Sequence, residues 1–220
     1  MTRALQFKRR AAQSGRARSL VVFLHGYGAD GADLLGLADP LAPHLPDTVF
    51  VAPDAPDRPA GSPFGYQWFP IPWLDGSAPA EAEAGLAASS ADLDTFLDAR
   101  LADEGLAEGA MALVGFSQGT MMALHVAPRR QAAAAGIVGF SGRLLHPGRL
   151  AAEARVRPPV LLIHGDADPV VPFAEMDLAG QTLTAAGFST HAHVMKDTGH
   201  GIAPDGLSVA LAFLKDRLPG

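Results

Sequence analysis

Ser117 has a glycine two residues to either side, in Gly115-Phe116-Ser117-Gln118-Gly119. This spacing suits a hydroxyl carried on a sharp turn where neighbouring side chains must be nearly absent. A serine hydroxyl is a poor nucleophile until a histidine takes its proton, and the imidazole in turn needs a carboxylate to fix its tautomer. Residues of both types stand in loop-like stretches: Asp166 and Asp168 in Gly165-Asp166-Ala167-Asp168-Pro169-Val170-Val171-Pro172, and His200 in Gly199-His200-Gly201. A fourth stretch, His25-Gly26-Tyr27-Gly28, lets backbone approach a ligand closely. Together these four loops fit acyl transfer, with serine attacking a carbonyl and backbone N–H groups meeting the oxyanion.

The other serine and histidine candidates separate by context. Ser141 also ends a strand pattern, Gly136 to Phe140, but only one glycine sits at the required spacing and no apolar helical pattern follows at once. His25 lies inside the glycine-rich loop and reads as structural, and His164 ends a buried strand and reads as a satisfied core polar group. His191 and His193 share one strand face, which leaves a metal pair as an alternative. His44, His125 and His146 have no evident partner. His200 is preferred because it follows the last strand on a glycine-flanked loop free to reach Ser117.

The elements that must position these loops follow from periodicity. Met111 to Phe116 is a short apolar run, and an apolar helical pattern begins directly after Ser117, so the serine sits between strand and helix. Ser19–Leu24, Thr48–Ala52, Gly136–Phe140 and Pro159–His164 are further compact apolar runs, as expected of strands covered on both faces. His191–Met195 alternates polar with apolar, as a half-exposed edge strand should. Helices are expected over Asp30 to His44, broken by Pro40, and over Ala78 to Gly105, Phe173 to Ala186 and Pro204 to Leu218. Asp92, Asp94, Asp98, Asp103 and Glu104 read as the solvated face of the long helix. Alternation of strand and helix implies an α/β fold with a mostly parallel sheet and helices on both faces, whose ligands bind beyond the carboxyl ends of the strands. All four chemical loops lie at such ends. The interval between Ser141 and Arg157 holds one short helix at most and leaves no room for a cap domain.

Between Arg58 and Gly76 neither period is present, yet Phe64, Tyr66, Trp68, Phe69 and Trp73 fall there, including both tryptophans. They read either as packing against the body or as the apolar lining of a substrate pocket.

Composition narrows the partners. The chain has 220 residues, which fits a single domain over 1–220, with 1–18 as an N-terminal strand or partly mobile arm. A formal charge of −6 and the lack of a long basic run argue against nucleic acid, and Lys8-Arg9-Arg10 reads as a solvated, partly frayed terminus. No cysteine is present, so disulfides and thiolate chemistry are excluded. No apolar run reaches the ~20 residues of a membrane span, so no stable membrane insertion is expected. Residues 1–19 hold no stretch suited to a secretory signal, which makes the cytoplasm the expected compartment.

The motifs Leu24-His25-Gly26-Tyr27-Gly28, Gly115-Phe116-Ser117-Gln118-Gly119, the Asp166–Pro172 stretch and Gly199-His200-Gly201-Ile202 occur in the chain order serine, acid, histidine. With these motifs the sequence resembles the phospholipase/carboxylesterase family of small α/β-hydrolases, which includes acyl-protein thioesterases, from about Leu20 to the C-terminus. The resemblance implies an α/β-hydrolase fold. It implies Ser117 as nucleophile, His200 as base, Asp168 as the orienting acid, and the backbone N–H groups of Tyr27 and Gln118 as the oxyanion hole. It implies no cofactor and no metal, and a small-molecule or lipid acyl ester as substrate; a homodimer is compatible with it. The expected activity is serine carboxylesterase action on short- to medium-chain monoacyl esters. Acyl-protein thioesterase or lysophospholipase activity is the alternative, and a non-catalytic ligand-binding protein of the same fold is the rival from another class.

Overall fold

The computed structural model describes residues 2–60, 62 and 64–220. Among these, seven strands form one sheet: β1 (Phe7–Arg10), β2 (Ser19–Leu24), β3 (Thr48–Pro53), β4 (Met111–Phe116), β5 (Gly136–Phe140), β6 (Val160–Gly165) and β7 (Thr190–Met195). Their order is β1-β3-β2-β4-β5-β6-β7, and only β1 runs antiparallel to its neighbour. The helices are α1 (Gly31–Leu35), α2 (Ala38–Leu41), α3 (Pro72–Asp75), α4 (Pro79–Glu104), α5 (Gln118–Val126), α6 (Pro147–Glu153), α7 (Ala174–Ala185) and α8 (Pro204–Arg217). This is the α/β-hydrolase arrangement, and the connection from β5 to β6 carries only the short α6.

The two-residue side-chain period of a strand sorts the core into two layers. On β2, Leu20, Val22 and Leu24 pack with Leu93 and Leu97 of α4 and Met122 of α5, whereas Val21 and Phe23 pack with Leu34, Leu41 and Leu214 on the other face. Because helices cover both faces, every residue of β2 is buried, and beyond Ser19 the strand is apolar instead of alternating.

The strand order also places the site. From β2 the chain passes to β3 on one side and returns to β4 on the other, so the loops leaving β2 and β4 diverge to opposite faces. This switch point at the carboxyl edge is the usual ligand position in open α/β sheets. His25–Gly28 and Ser117 are the first residues of those two loops.

Three expectations need correction. The basic N-terminal cluster belongs to the edge strand β1, where Arg9 pairs with Glu104 at 2.8 Å and Arg10 pairs with Asp39. Charged side chains are tolerated on a sheet edge, so the strand needs no apolar alternation. The acidic row of α4 is ion-paired and not merely solvated: Asp92 is buried against Arg3 at 2.7 Å, Asp94 and Asp98 hold the buried guanidinium of Arg130, and Asp103 meets Arg100 at 2.8 Å. The early helix breaks at Gly36 and Leu37, and Pro40 lies within α2, in its first turns where a missing N–H removes no intrahelical bond.

Candidate active site

Ser117 is held at φ 54°, ψ −115°, a backbone conformation that a residue with a side chain rarely adopts. Two close approaches explain the glycines around it. A Cβ on Gly115 would lie 2.4 Å from the Thr120 nitrogen, and one on Gly119 would lie 1.8 Å from the Leu24 carbonyl oxygen. Strand, turn and helix can therefore fold this tightly only with hydrogen at both positions. The Ser117 N–H donates to the Phe140 carbonyl at 2.8 Å, tying the turn to β5. The Ser117 side chain caps no N–H of α5, which leaves its hydroxyl available. The first N–H groups of α5 lack intrahelical acceptors and sit at the positive end of the helix dipole, beginning with Gln118.

Asp168 and His200 come together although 32 residues apart: His200 Nδ1 lies 2.7 Å from Asp168 Oδ2. Asp168 Oδ1 accepts from the N–H groups of Val170 and Val171 at 2.8 and 3.0 Å. The Asp-Pro-Val-Val sequence thus folds into a turn that binds its own carboxylate, with proline at the one position that needs no N–H. Burial pushes the Asp168 carboxyl up, but the hydrogen bonds from His200 and the two valine amides outweigh it and hold the group below its ordinary value. An ionised Asp168 can only accept, so Nδ1 of His200 carries the proton and Nε2 presents a lone pair. The imidazole packs on the Phe116 ring with 4.8 Å between centroids, one residue from Ser117. Asp166, by contrast, turns outward, accepting the Asp197 N–H at 2.7 Å and pairing with exposed Lys196 at 3.2 Å.

The loop bearing Tyr27 is fixed from inside. Fully buried His25 accepts the Ala55 N–H at Nε2, 2.9 Å away, so it is neutral and donates from Nδ1 to the Gly26 carbonyl at 2.7 Å. Burial holds its basicity down against the pull of that carbonyl and of Asp54. Gly28 donates to the Tyr66 carbonyl and Tyr66 donates to the Ala29 carbonyl, both at 2.8 Å. The Tyr27 phenol is pushed up by burial and by Asp75, which places α3 beside this loop.

The five aromatic residues of the irregular stretch do not form one surface. Trp68 and Phe69 are in the core, at 0% and 6% exposure. Tyr66 is half-buried beneath the Arg58 guanidinium, 4.1 Å from its ring centroid. Phe64 and Trp73 are exposed, at 79% and 69%, and Trp73 lies 5.0 Å from the Arg143 guanidinium. The Gln118 side chain is the feature the sequence reading missed. Its Oε1 accepts the Trp68 N–H and its Nε2 donates to the Phe69 carbonyl, both at 2.8 Å, in a fully buried position. A long amide directly behind the nucleophile, where a small residue would satisfy the turn, was the available signal.

Two of the remaining histidines face carboxylates. His193 Nε2 lies 2.8 Å from Asp205, and His146 lies 3.0 Å from Glu83. Among the described residues no group of three or more His, Asp or Glu side chains is arranged to hold a metal ion.

A model of the family described as phospholipase/carboxylesterase matches residues 9–218. The chain is 29% identical to esterase YpfH of Escherichia coli (strain K12), over 92% of this chain and 84% of that protein. It is likewise 29% identical to acyl-protein thioesterase 1 of Neurospora crassa, over 93% and 89% respectively. The crystal structure of esterase PE8 superposes with a TM-score of 0.92 at 44% identity, covering 98% of this chain and all of that one.

Proposed function

The chain belongs to the phospholipase/carboxylesterase family, whose relatives make it an esterase-type hydrolase, and from that premise we propose that it is a serine carboxylesterase for short- to medium-chain monoacyl esters. The observation that carries this reading is the Asp168–His200 pair at 2.7 Å, its imidazole packed on Phe116 beside the strained Ser117 turn.

In this mechanism His200 Nε2 takes the hydroxyl proton as Ser117 Oγ bonds to the ester carbonyl carbon. The developing oxyanion meets the backbone N–H groups of Tyr27 and Gln118, both on rigidly held loops, so little reorganisation is needed. The imidazolium then gives its proton to the alcohol oxygen as the C–O bond breaks, leaving Ser117 acylated. Water then bonds to the acyl carbon as His200 takes its proton, and the imidazolium returns that proton to Ser117 Oγ as the Oγ–acyl bond breaks and the acid leaves. Ionised Asp168 keeps Nδ1 protonated throughout and stabilises the imidazolium without taking its proton. The substrate is a small-molecule or lipid acyl ester. Thioesters are a second substrate class, because the oxyanion hole is indifferent to the leaving atom and a relative is named acyl-protein thioesterase. We read the chain as a single catalytic domain, and no helix among the described residues is long and apolar enough to cross a membrane.

The deciding experiment combines p-nitrophenyl butyrate turnover with fluorophosphonate labelling. Ser117→Ala should lower kcat by about 10⁴- to 10⁶-fold and abolish labelling, whereas Ser141→Ala should do neither. Labelling that persists in folded Ser117→Ala sinks the assignment.

A further inference from the structure

His164, the penultimate residue of β6, is 1% exposed and packs edge-on against the Phe173 ring, 6.0 Å between centroids. Its Nε2 lies 3.0 Å from the Val171 carbonyl oxygen. A carbonyl can only accept, so this nitrogen carries the proton and the tautomer is fixed. The same Nε2 lies 3.3 Å from Asp168 Oδ2, the carboxylate oxygen that also meets His200. Oδ1 is already taken by the Val170 and Val171 N–H groups. Asp168 Oδ2 therefore sits between two imidazoles, one on the rigid end of β6 and one on the loop that must face Ser117.

From this geometry we infer that His164 is a positioning residue that holds Asp168 Oδ2 in line with His200 Nδ1. The inference rests on the Ser117–His200–Asp168 reading. The turn from Gly165 to Asp168 folds the carboxylate back over the strand it has just left, with the Asp168 N–H pointing to the Gly165 carbonyl at 3.3 Å. Two valine amides fix one oxygen but leave the carboxylate free to rock about them. The buried Nε2, bonded to the Val171 carbonyl, lies 3.3 Å from the second oxygen and stands in the way of that motion. The polar N–H edge of His164 beside Oδ2 moderates the pull of the carboxylate on the His200 proton. The titratable groups in contact with Asp168 are His164 and His200; Asp166 faces Lys196 and the Asp197 amide instead.

The test compares His164→Leu, His164→Gln and His164→Asn in the full chain. It reads kcat and KM for p-nitrophenyl butyrate across pH, the thermal midpoint, and the downfield imidazole N–H proton resonance that Asp168→Asn should abolish. The leucine variant should lose about 10- to 100-fold in kcat with KM nearly unchanged, as expected when a catalytic pair is displaced by a fraction of an ångström. Its acid limb should move to higher pH, because Oδ2 has lost the polar N–H edge beside it. Glutamine places an N–H where Nε2 was and should restore kcat to within about threefold, together with the acid limb; asparagine places it near Nδ1 and should not. If the leucine variant does not fold, the glutamine–asparagine contrast still decides. A folded leucine variant with wild-type kcat and pH profile overturns the inference, as do equal losses in glutamine and asparagine. An active Asp168→Asn would sink the triad reading itself and this inference with it.

Discussion

Replacing Gln118 tests whether the elbow is held by hydrogen bonds or only by packing. The Gln118 amide is fully buried, and its two bonds, to the Trp68 N–H and the Phe69 carbonyl, are both 2.8 Å and both buried. Gln118→Met keeps the volume and leaves both backbone groups without a partner, at about 1–3 kcal/mol each, hence about 2–6 kcal/mol in all. For a chain of this length a kilocalorie moves the thermal midpoint by about 2–4 °C, so the midpoint should fall by about 5–20 °C. Gln118→Glu adds a sign that packing cannot imitate. One carboxylate oxygen still accepts the Trp68 N–H, but the other faces the Phe69 carbonyl, so burial and repulsion raise the glutamate above its unfolded value of about 4.3. A group raised in the folded state contributes stability that is fully present below its unfolded pKa and is lost as pH rises through the folded one. The glutamate variant should therefore come nearest to wild type at about pH 4 and fall progressively behind toward neutrality, while the methionine deficit stays level. Urea melts of the three proteins at pH 4.5, 6 and 8 measure this. A methionine variant within about 1 kcal/mol of wild type, or a glutamate deficit that does not change with pH, refutes the reasoning.

Asp168→Asn should cost about 10⁴-fold in kcat by permitting the wrong imidazole tautomer, whereas Asp166→Asn, whose partners are Lys196 and the Asp197 amide, should remain within about tenfold; steady-state kinetics on the two variants separates the acids. His125 is pushed down to about 4 by burial and by Arg129 and His146, so it contributes stability that is present above about pH 6.5 and lost as pH falls through 4. His125→Phe should remove about 1–3 kcal/mol of that acid-side loss, allowing for solvent screening, as read from denaturation between pH 7 and 4. Trp73→Ala and Phe64→Ala should melt close to wild type because both rings are exposed, and at least one should flatten the rise of kcat/KM with acyl chain length, otherwise set by about 0.8 kcal/mol per buried methylene. Trp68→Ala, at a fully buried site, should instead cost about 3–5 kcal/mol of stability.

The central strands of the sheet were legible because burial on both faces turns them into compact apolar runs; Met111–Phe116 and Gly136–Phe140 could be bounded to the residue. The chemical loops were legible for a different reason. A nucleophile on a turn this tight excludes side chains at positions 115 and 119, and a self-binding carboxylate turn uses the valine amides that follow Pro169. What could not be read is whatever depends on a distant partner. An N-terminal strand or arm was expected within 1–18, but only pairing with β3 places that strand at Phe7–Arg10, and the carboxylates of α4 find guanidiniums as far as 95 residues away. Trp68 and Trp73 are five positions apart in one aperiodic stretch, and local sequence offers nothing to tell the core residue from the exposed one.

What separates them is Trp68's place between the two loops that leave the switch point of the sheet. Its backbone N–H is taken by the Gln118 side chain at the start of α5, and its indole N–H donates to the His25 carbonyl at 3.0 Å at the end of β2. The Ser89 hydroxyl, from α4, donates to its carbonyl. A buried tryptophan with its polar groups satisfied costs no hydrogen bond and supplies a rigid body that neither loop can move past. The two backbone donors proposed for the oxyanion, Tyr27 and Gln118, stand on loops 91 residues apart in sequence. Trp68 gives those loops a common anchor and so fixes the spacing between the donors. An oxyanion hole stabilises the transition state in proportion to how little its donors must rearrange. The aromatic stretch therefore bears on the proposed chemistry through a buried ring that ties two loops together, while Phe64 and Trp73 stay exposed at the surface.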